Sequence, residues 1–272
     1  MSEGTPRDDL FRKELSDPER LKHHLQRLIE LLNRSLDPQK KYLVYILAQS
    51  SRIGHLGVEP WYINTLFGAS YQNIVIVTGP GEQAANRTLF DYLMSRFTII
   101  ETDDIVFTTM GFIDFGAFGV GNYDFYLRAP LTLMQEFSRS LAAGLPHRFL
   151  DVPAESAAVA QAFRRDVLGD DDRPHVFLHV RDSGFAPDMA YHSYRFNNIH
   201  AYRDSVEMLL GKGFAVLRSG DRASPELDID HPHYFEIMRH EKYDRGIDFH
   251  IALTSAFGMV NQSGPLALFQ AF

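Results

Sequence analysis

The stretch "PHVFLHVRDSG", residues 174–184, decides how this chain is read. Val176, Phe177, Leu178 and Val180 form an apolar run of the kind that a strand buried on both faces of a parallel sheet requires. The run then delivers His179, Arg181, Asp182 and Ser183 into a turn closed by Gly184. Arginine is rarely fully buried unless it is paired. A buried strand that ends on Arg181 therefore needs a counter-charge, either from the protein or from a ligand.

The same grammar repeats outward in both directions. Downstream, a helix near 199–211 ends at Gly211 and Gly213, "FAVLR" is a strand, and "DFHIALTSA" is a helix. The strand "FGMVN" and the turn "QSGP" then open another helix. Upstream, "KYLVYILA" (41–48) runs into "QSSRIGHLGVE", and "NIVIVTGPG" and "FTIIETDDIVF" repeat the strand-then-punctuation pattern. Between them and the helix "PLTLMQEFSRSLAAG", the glycine- and aromatic-rich "MGFIDFGAFGVGNYDFY" has no clear period and reads as an irregular loop, a cleft lining or an ordinary packed connection.

Strands alternating with helices predict two doubly wound, Rossmann-like α/β domains. Residues 1–40 read as an N-terminal helical segment, with Ser16 and Glu19 as a capping box, Pro18 in the first turn and Leu21, Leu25, Leu28 and Leu32 as its apolar stripe. His23 and His24 lie beside that stripe, on a solvated face. Residues 41–169 and 174–272 form the two domains, with the acidic, proline-ended "GDDDRP" between them as a hinge. The second domain stops inside an expected helix, "LALFQAF", and so reads as incomplete.

Composition excludes several classes. A formal charge of −8 disfavours nucleic-acid binding, which needs clustered Lys and Arg. With no cysteine there is neither a disulfide framework nor a thiolate nucleophile. The start "MSEGTPRDDL" does not have the form of a secretory signal, and no apolar run reaches membrane-spanning length. The expectation is a cytoplasmic protein without a transmembrane segment.

In an open parallel sheet, ligands collect at the carboxyl ends of the strands. The polar residues fall there: Arg52, Gly54, His55, Gly57 and Glu59 after the first strand, then His179, Arg181 and Asp182. Arg218, Gly220 and Asp221 follow "FAVL", and Asn261, Ser263 and Gly264 follow "GMV" just before a helix. Two arginines and a nest of backbone N–H groups point to an anionic ligand. The alternative is that Arg181 pairs with Asp182 or Asp221 to close the sheet. His179, two residues before Arg181, shares its face and would orient Arg181 or a sugar.

No metal site is expected: "DID" (228–230) reads as a loop, the aspartates 170–172 as a solvated linker, and His231, His233 and His240 fit no compact zinc spacing.

"HVRDSG", "YRFNNIHAYRDSVEMLLGKGFAVLRSGD", "DFHIAL" and "NQSGP" together resemble a group of bacterial glycosyltransferases, and the broader pattern is similar to fucosyltransferase-like enzymes. The resemblance covers residues 174 to 265; in the first half it rests on "RIGHLGVE". It implies the two-Rossmann (GT-B) architecture, with the nucleotide-diphosphate sugar on the second domain and a glycan, lipid or protein acceptor on the first. The implied donor residues are His179, Arg181, Arg195, Arg218, Asp248, Ser263 and Gly264. Arg181 and Arg218 would meet the diphosphate, no cofactor is required, and Phe249 and His250 interrupt the Asp-Ile element that Asp248 opens. His55 or Glu59 would take the acceptor proton, with Asp114 and Asp182 next in line; otherwise His55 caps its turn and Glu59 serves helix N–H groups. The rival functions are a non-catalytic sugar-nucleotide-binding subunit and a nucleotide-sugar epimerase.

Overall fold

The computed structural model describes residues 6–182 and 194–272, so Ser183 and Gly184 of the opening stretch lie outside the described residues. The chain divides into two compact units, one ending at Leu150 and one beginning at Asp151.

The first unit opens with α1 (Pro6–Leu10), a π-helical turn (Phe11–Leu15) and α2 (Pro18–Ser35). The cap of α2 is Asp17, whose side chain accepts from Arg20 N–H at 3.0 Å. Ser16, the expected cap, turns its hydroxyl back to the Arg12 carbonyl instead. Leu28 and Leu32 are fully buried, with Leu21 and Leu25 packed beside them on the sheet core. The helical segment is therefore part of this unit. His24 is buried rather than solvated, 3.2 Å from Glu14.

There follow β1 (Tyr42–Leu47), α3 (Ile53–Phe67), β2 (Ile74–Thr78), α4 (Arg87–Arg96), β3 (Thr98–Glu101) and α5 (Ile105–Met110). A hairpin of β4 (Gly116–Val120) and β5 (Tyr123–Leu127) then leads to α6 (Pro130–Ala142). The strand order is β3-β2-β1-β5-β4, parallel except for the antiparallel β4–β5 pair. The expected irregular loop is thus this hairpin, turned at Gly121, whose φ of +58° favours glycine. Glycines 116 and 119 remove side chains from β4 and hide its alternation.

The second unit comprises α7 (Ser156–Leu168), β6 (His175–His179), α8 (Arg203–Gly211), β7 (Ala215–Ser219), β8 (Tyr234–Glu236), α9 (Arg245–Thr254), β9 (Phe257–Val260) and α10 (Leu266–Ala271). Its sheet is parallel throughout, in the order β8-β7-β6-β9. The sequence reading divided the chain at the acidic stretch; the structure divides it before α7. The reason is that α7 packs on α9, with Ser156 Oγ 3.0 Å from His250 Nδ1. The acidic stretch is tied down as well: Arg164 donates to the carbonyls of Asp171 and Arg173, and Asp171 accepts from Arg173 N–H and Nε. Both units are α/β, with parallel sheets flanked by helices. Among the described residues, no helix is long and apolar enough to cross a membrane.

Candidate functional site

Each sheet has a point where the chain reverses its direction of growth. In the first, β1 lies between β2 and β5; in the second, β6 lies between β7 and β9. Crevices outside the carboxyl ends of such strand pairs are where open α/β sheets bind ligands. At the second one, the pleat sorts the polar residues. Leu178 is in register with Arg218, and His179 with Ser219. Side chains alternate along a strand, and register partners share a face. Arg218 therefore lies on the face where Leu178 and Val180 pack with Val206, Leu209 and Leu210 of α8. His179 and Ser219 lie on the opposite face, where His175 Nε2 meets the Ile251 carbonyl of α9 at 2.9 Å.

This overturns the expectation for Arg218. It is fully buried and engages Glu236 and, at 3.6 Å, Asp182. Glu236 also accepts from Leu227 N–H at 2.8 Å, Tyr234 Oη at 2.9 Å and Arg239 Nε at 2.6 Å. Burial alone would raise the Glu236 carboxyl; those donors and Arg218 hold it below its usual range. Asp182, offered as a reserve base, accepts from Ser224 Oγ at 3.0 Å inside the same network. Of the two carboxylates weighed as partners for Arg181, Asp182 stands 3.6 Å from Arg218 and Asp221 pairs with Arg245 at 3.5 Å.

The other face holds His179, Ser219 and Asp248, with Arg181 and Asn261 at the strand ends. Burial, with the charges of Arg218, Arg181 and Arg245, pushes the His179 imidazole down to about 4, so it is neutral at physiological pH. Its Nδ1 is buried and finds no hydrogen-bond partner among the described residues. Asn261, on the adjoining strand end, accepts from Arg181 N–H through Oδ1 at 3.0 Å. Its Nδ2 is likewise buried and has no partner among the described residues. The Arg181 guanidinium lies over the Phe196 ring, 5.8 Å from its centre. Arg195 donates to the Gln262 carbonyl at 2.8 Å, joining the loops that follow β6 and β9. Asp248, in the first turn of α9, accepts from Tyr243 Oη at 2.7 Å; burial pushes its carboxyl up to about 7.

The expected backbone donors are not assembled at Ser263. Its N–H and hydroxyl both turn onto the Asn261 carbonyl, at 2.6 and 3.2 Å, and α10 is only six residues long. Tyr243, Arg245 and Ser219 are additions that the sequence reading missed. Arg245 had a signal, since "DRG" can open a helix on a cation; Tyr243 had none.

In the first unit, α3 begins at Ile53, so His55 and Glu59 lie inside a helix and not in a loop. Glu59 is buried, accepts from Tyr45 Oη at 2.6 Å and stands 2.5 Å from His55 Nδ1. Asp114 is occupied at the start of α6, accepting from Ala129 N–H and Thr132 Oγ1. Among the histidines considered for zinc, His231 and His233 pack on each other, His233 faces Asp171, and His240 packs on Phe163. The described residues contain no group of three or more His, Asp or Glu placed to hold a metal ion. No protein-family model matches this chain, and neither does any curated protein or solved structure.

Proposed function

We propose that the chain is a glycosyltransferase of the two-domain GT-B kind, moving a sugar from a nucleotide-diphosphate sugar to an acceptor hydroxyl without a resident metal. The second unit serves the donor and the first unit the acceptor. The donor residues are Arg181, His179 and Asn261, with Arg245 and Asp248 beside them; Arg218 is removed from direct contact. What carries this reading is a pair of buried atoms with no hydrogen-bond partner among the described residues, His179 Nδ1 and Asn261 Nδ2, at adjoining strand ends within the field of several guanidinium groups. Buried polar groups are nearly always satisfied, and a phosphate or hydroxyl of the donor would supply the missing partners. Guanidinium groups can also neutralise a departing diphosphate.

Calorimetric titration with nucleoside diphosphates and their sugars tests this. Arg181→Ala should weaken donor binding about 10- to 100-fold for each charged hydrogen bond lost. Arg181→Lys should recover only part, because a point charge lacks the planar fork. Turnover should survive EDTA. Binding unchanged in a folded Arg181→Ala variant, or activity restored to a chelated chain by one metal, defeats the proposal. The inward-facing Arg218 favours a second reading, a sugar-nucleotide-binding subunit without catalysis; donor binding with no transfer to any acceptor would select it.

A further inference from the structure

The first unit carries an apolar surface on a helix side that its own core does not use. Leu133 and Phe137 turn α6 onto the core, yet Leu131, 62% exposed, and Met134, 42% exposed, stand towards solvent. A flanking helix ordinarily puts polar and charged residues there. Phe149, 52% exposed, joins the same surface. Its ring lies nearly parallel to His147 at 5.3 Å and to Trp61 at 6.0 Å, and both of those rings pack against Phe137 of α6. The backbone of this segment is tied to α3, where Thr65 Oγ1 and Asn64 Nδ2 donate to the Arg148 carbonyl at 3.3 and 3.2 Å. Phe149 is thus held alongside α6, near the turn that bears Met134.

The charges on this surface have one sign. The whole chain holds 35 acidic and 27 basic side chains, but between Pro130 and Phe149 there are two arginines and a single carboxylate, Glu136. That carboxylate is spent, since Arg128 Nε stands 2.8 Å from its Oε1 and Tyr126 Oη donates to its Oε2. Arg139 and Arg148 are exposed. Apolar side chains with basic neighbours and no free carboxylate form the composition that settles on an anionic lipid surface. A second copy of this chain fits worse. A two-fold contact sets a patch against itself, so arginines would face arginines. We propose that this face of α6, with Phe149, rests on an anionic lipid bilayer. Leu131, Met134 and Phe149 enter the boundary between headgroups and acyl chains, and Arg139 and Arg148 meet the lipid phosphates. The proposal goes beyond the transferase reading and does not depend on it, because binding to vesicles needs neither donor nor acceptor.

Trp61 is the sole tryptophan of the chain and stacks on Phe149, so its fluorescence reports on this face. The full chain should sediment with vesicles of equal parts phosphatidylcholine and phosphatidylglycerol, and far less with phosphatidylcholine alone. Added salt should release it, because screening weakens the arginine contribution. Brominated acyl chains in the anionic vesicles should quench Trp61. Arg139→Gln with Arg148→Gln should lower partitioning about fivefold for each arginine. Leu131→Gln with Met134→Gln should lower it about tenfold or more, through the loss of two inserted apolar side chains. All four positions are exposed, so thermal unfolding of both variants should match wild type; if either fails to fold, wild-type sedimentation and quenching decide. No sedimentation with the anionic vesicles overturns the proposal. So does sedimentation that leaves Trp61 unquenched, which puts the contact elsewhere, or partitioning indifferent to both pairs of substitutions. A wild-type chain that elutes as a dimer, and as a monomer once Leu131 and Met134 are replaced, gives the surface to a second copy instead.

Discussion

Arg181 follows β6 and Arg218 lies near the end of the adjacent β7, and the proposed function gives them opposite work. Arg218 is sealed in with Glu236 and Asp182. Its removal takes the guanidinium away from the buried Asp182 and from the half-buried Glu236, which keeps Arg239. Arg218→Ala should cost about 3–5 kcal/mol by denaturant unfolding, the usual penalty for breaking a buried pair by removing one partner. Arg181→Ala should cost far less, and equal losses would show that this division is misdrawn. The sequence shows that both strands end on cations, but not which face each cation takes. That depends on inter-strand register, and Leu178 opposite Arg218 is a fact about pairing, not about either strand alone. Asp248 offers a titration at the same scale. Its folded pKa of about 7 lies above the ordinary 3.8, so between those values the folded state holds a proton that the unfolded state has lost. Stability from this group is fully present below about 3.8 and is lost as pH rises towards 7. Asp248→Asn should therefore gain on wild type as pH rises across that window; a flat difference would mean the carboxyl titrates normally.

At the scale of elements, alternation and punctuation were enough to place β1, β2, β3, β6 and β7, because their continuous apolar runs have no other economical reading. The hairpin of β4 and β5 escaped because glycine carries no hydropathy signal and the aromatic residues fall on both faces. The acidic stretch after α7 was legible as polar but not as ordered, since the guanidinium of Arg164 arrives from the preceding helix. The glycine that hides the hairpin also makes it possible. Gly121 sits at φ +58° with open space where a Cβ would project, so only backbone strain opposes a side chain there. Gly121→Val should destabilise by about 1–2 kcal/mol, the cost of a left-handed conformation for an L-residue. Thermal unfolding that leaves Tm unchanged would mean that the turn readily adopts another shape.

For the molecule as a whole, each unit carries its own buried cluster, one built on β1, β2 and β5, the other on β6, β7 and α8. A donor held at the second sheet should therefore stabilise that unit in the first instance. With nucleoside diphosphate at a hundredfold excess over Kd, hydrogen exchange should slow in residues 175–182, 215–221 and 257–263, the binding free energy contributing about 2.7 kcal/mol. Protection confined to residues 42–47 would put the anion on the other sheet. The pleat that parts Arg218 from His179 has an effect of its own. A β-sheet is only one backbone thick, and its peptide layer insulates sterically without screening charge. The guanidinium on the helix-packed side helps hold the imidazole on the opposite side in its uncharged form. The second unit's core is in this sense a biasing electrode: an ion network on one face of the sheet adds to burial in lowering the proton affinity of a group on the other. Substitutions made in that network for packing alone would retune the His179 imidazole on the far side of the sheet.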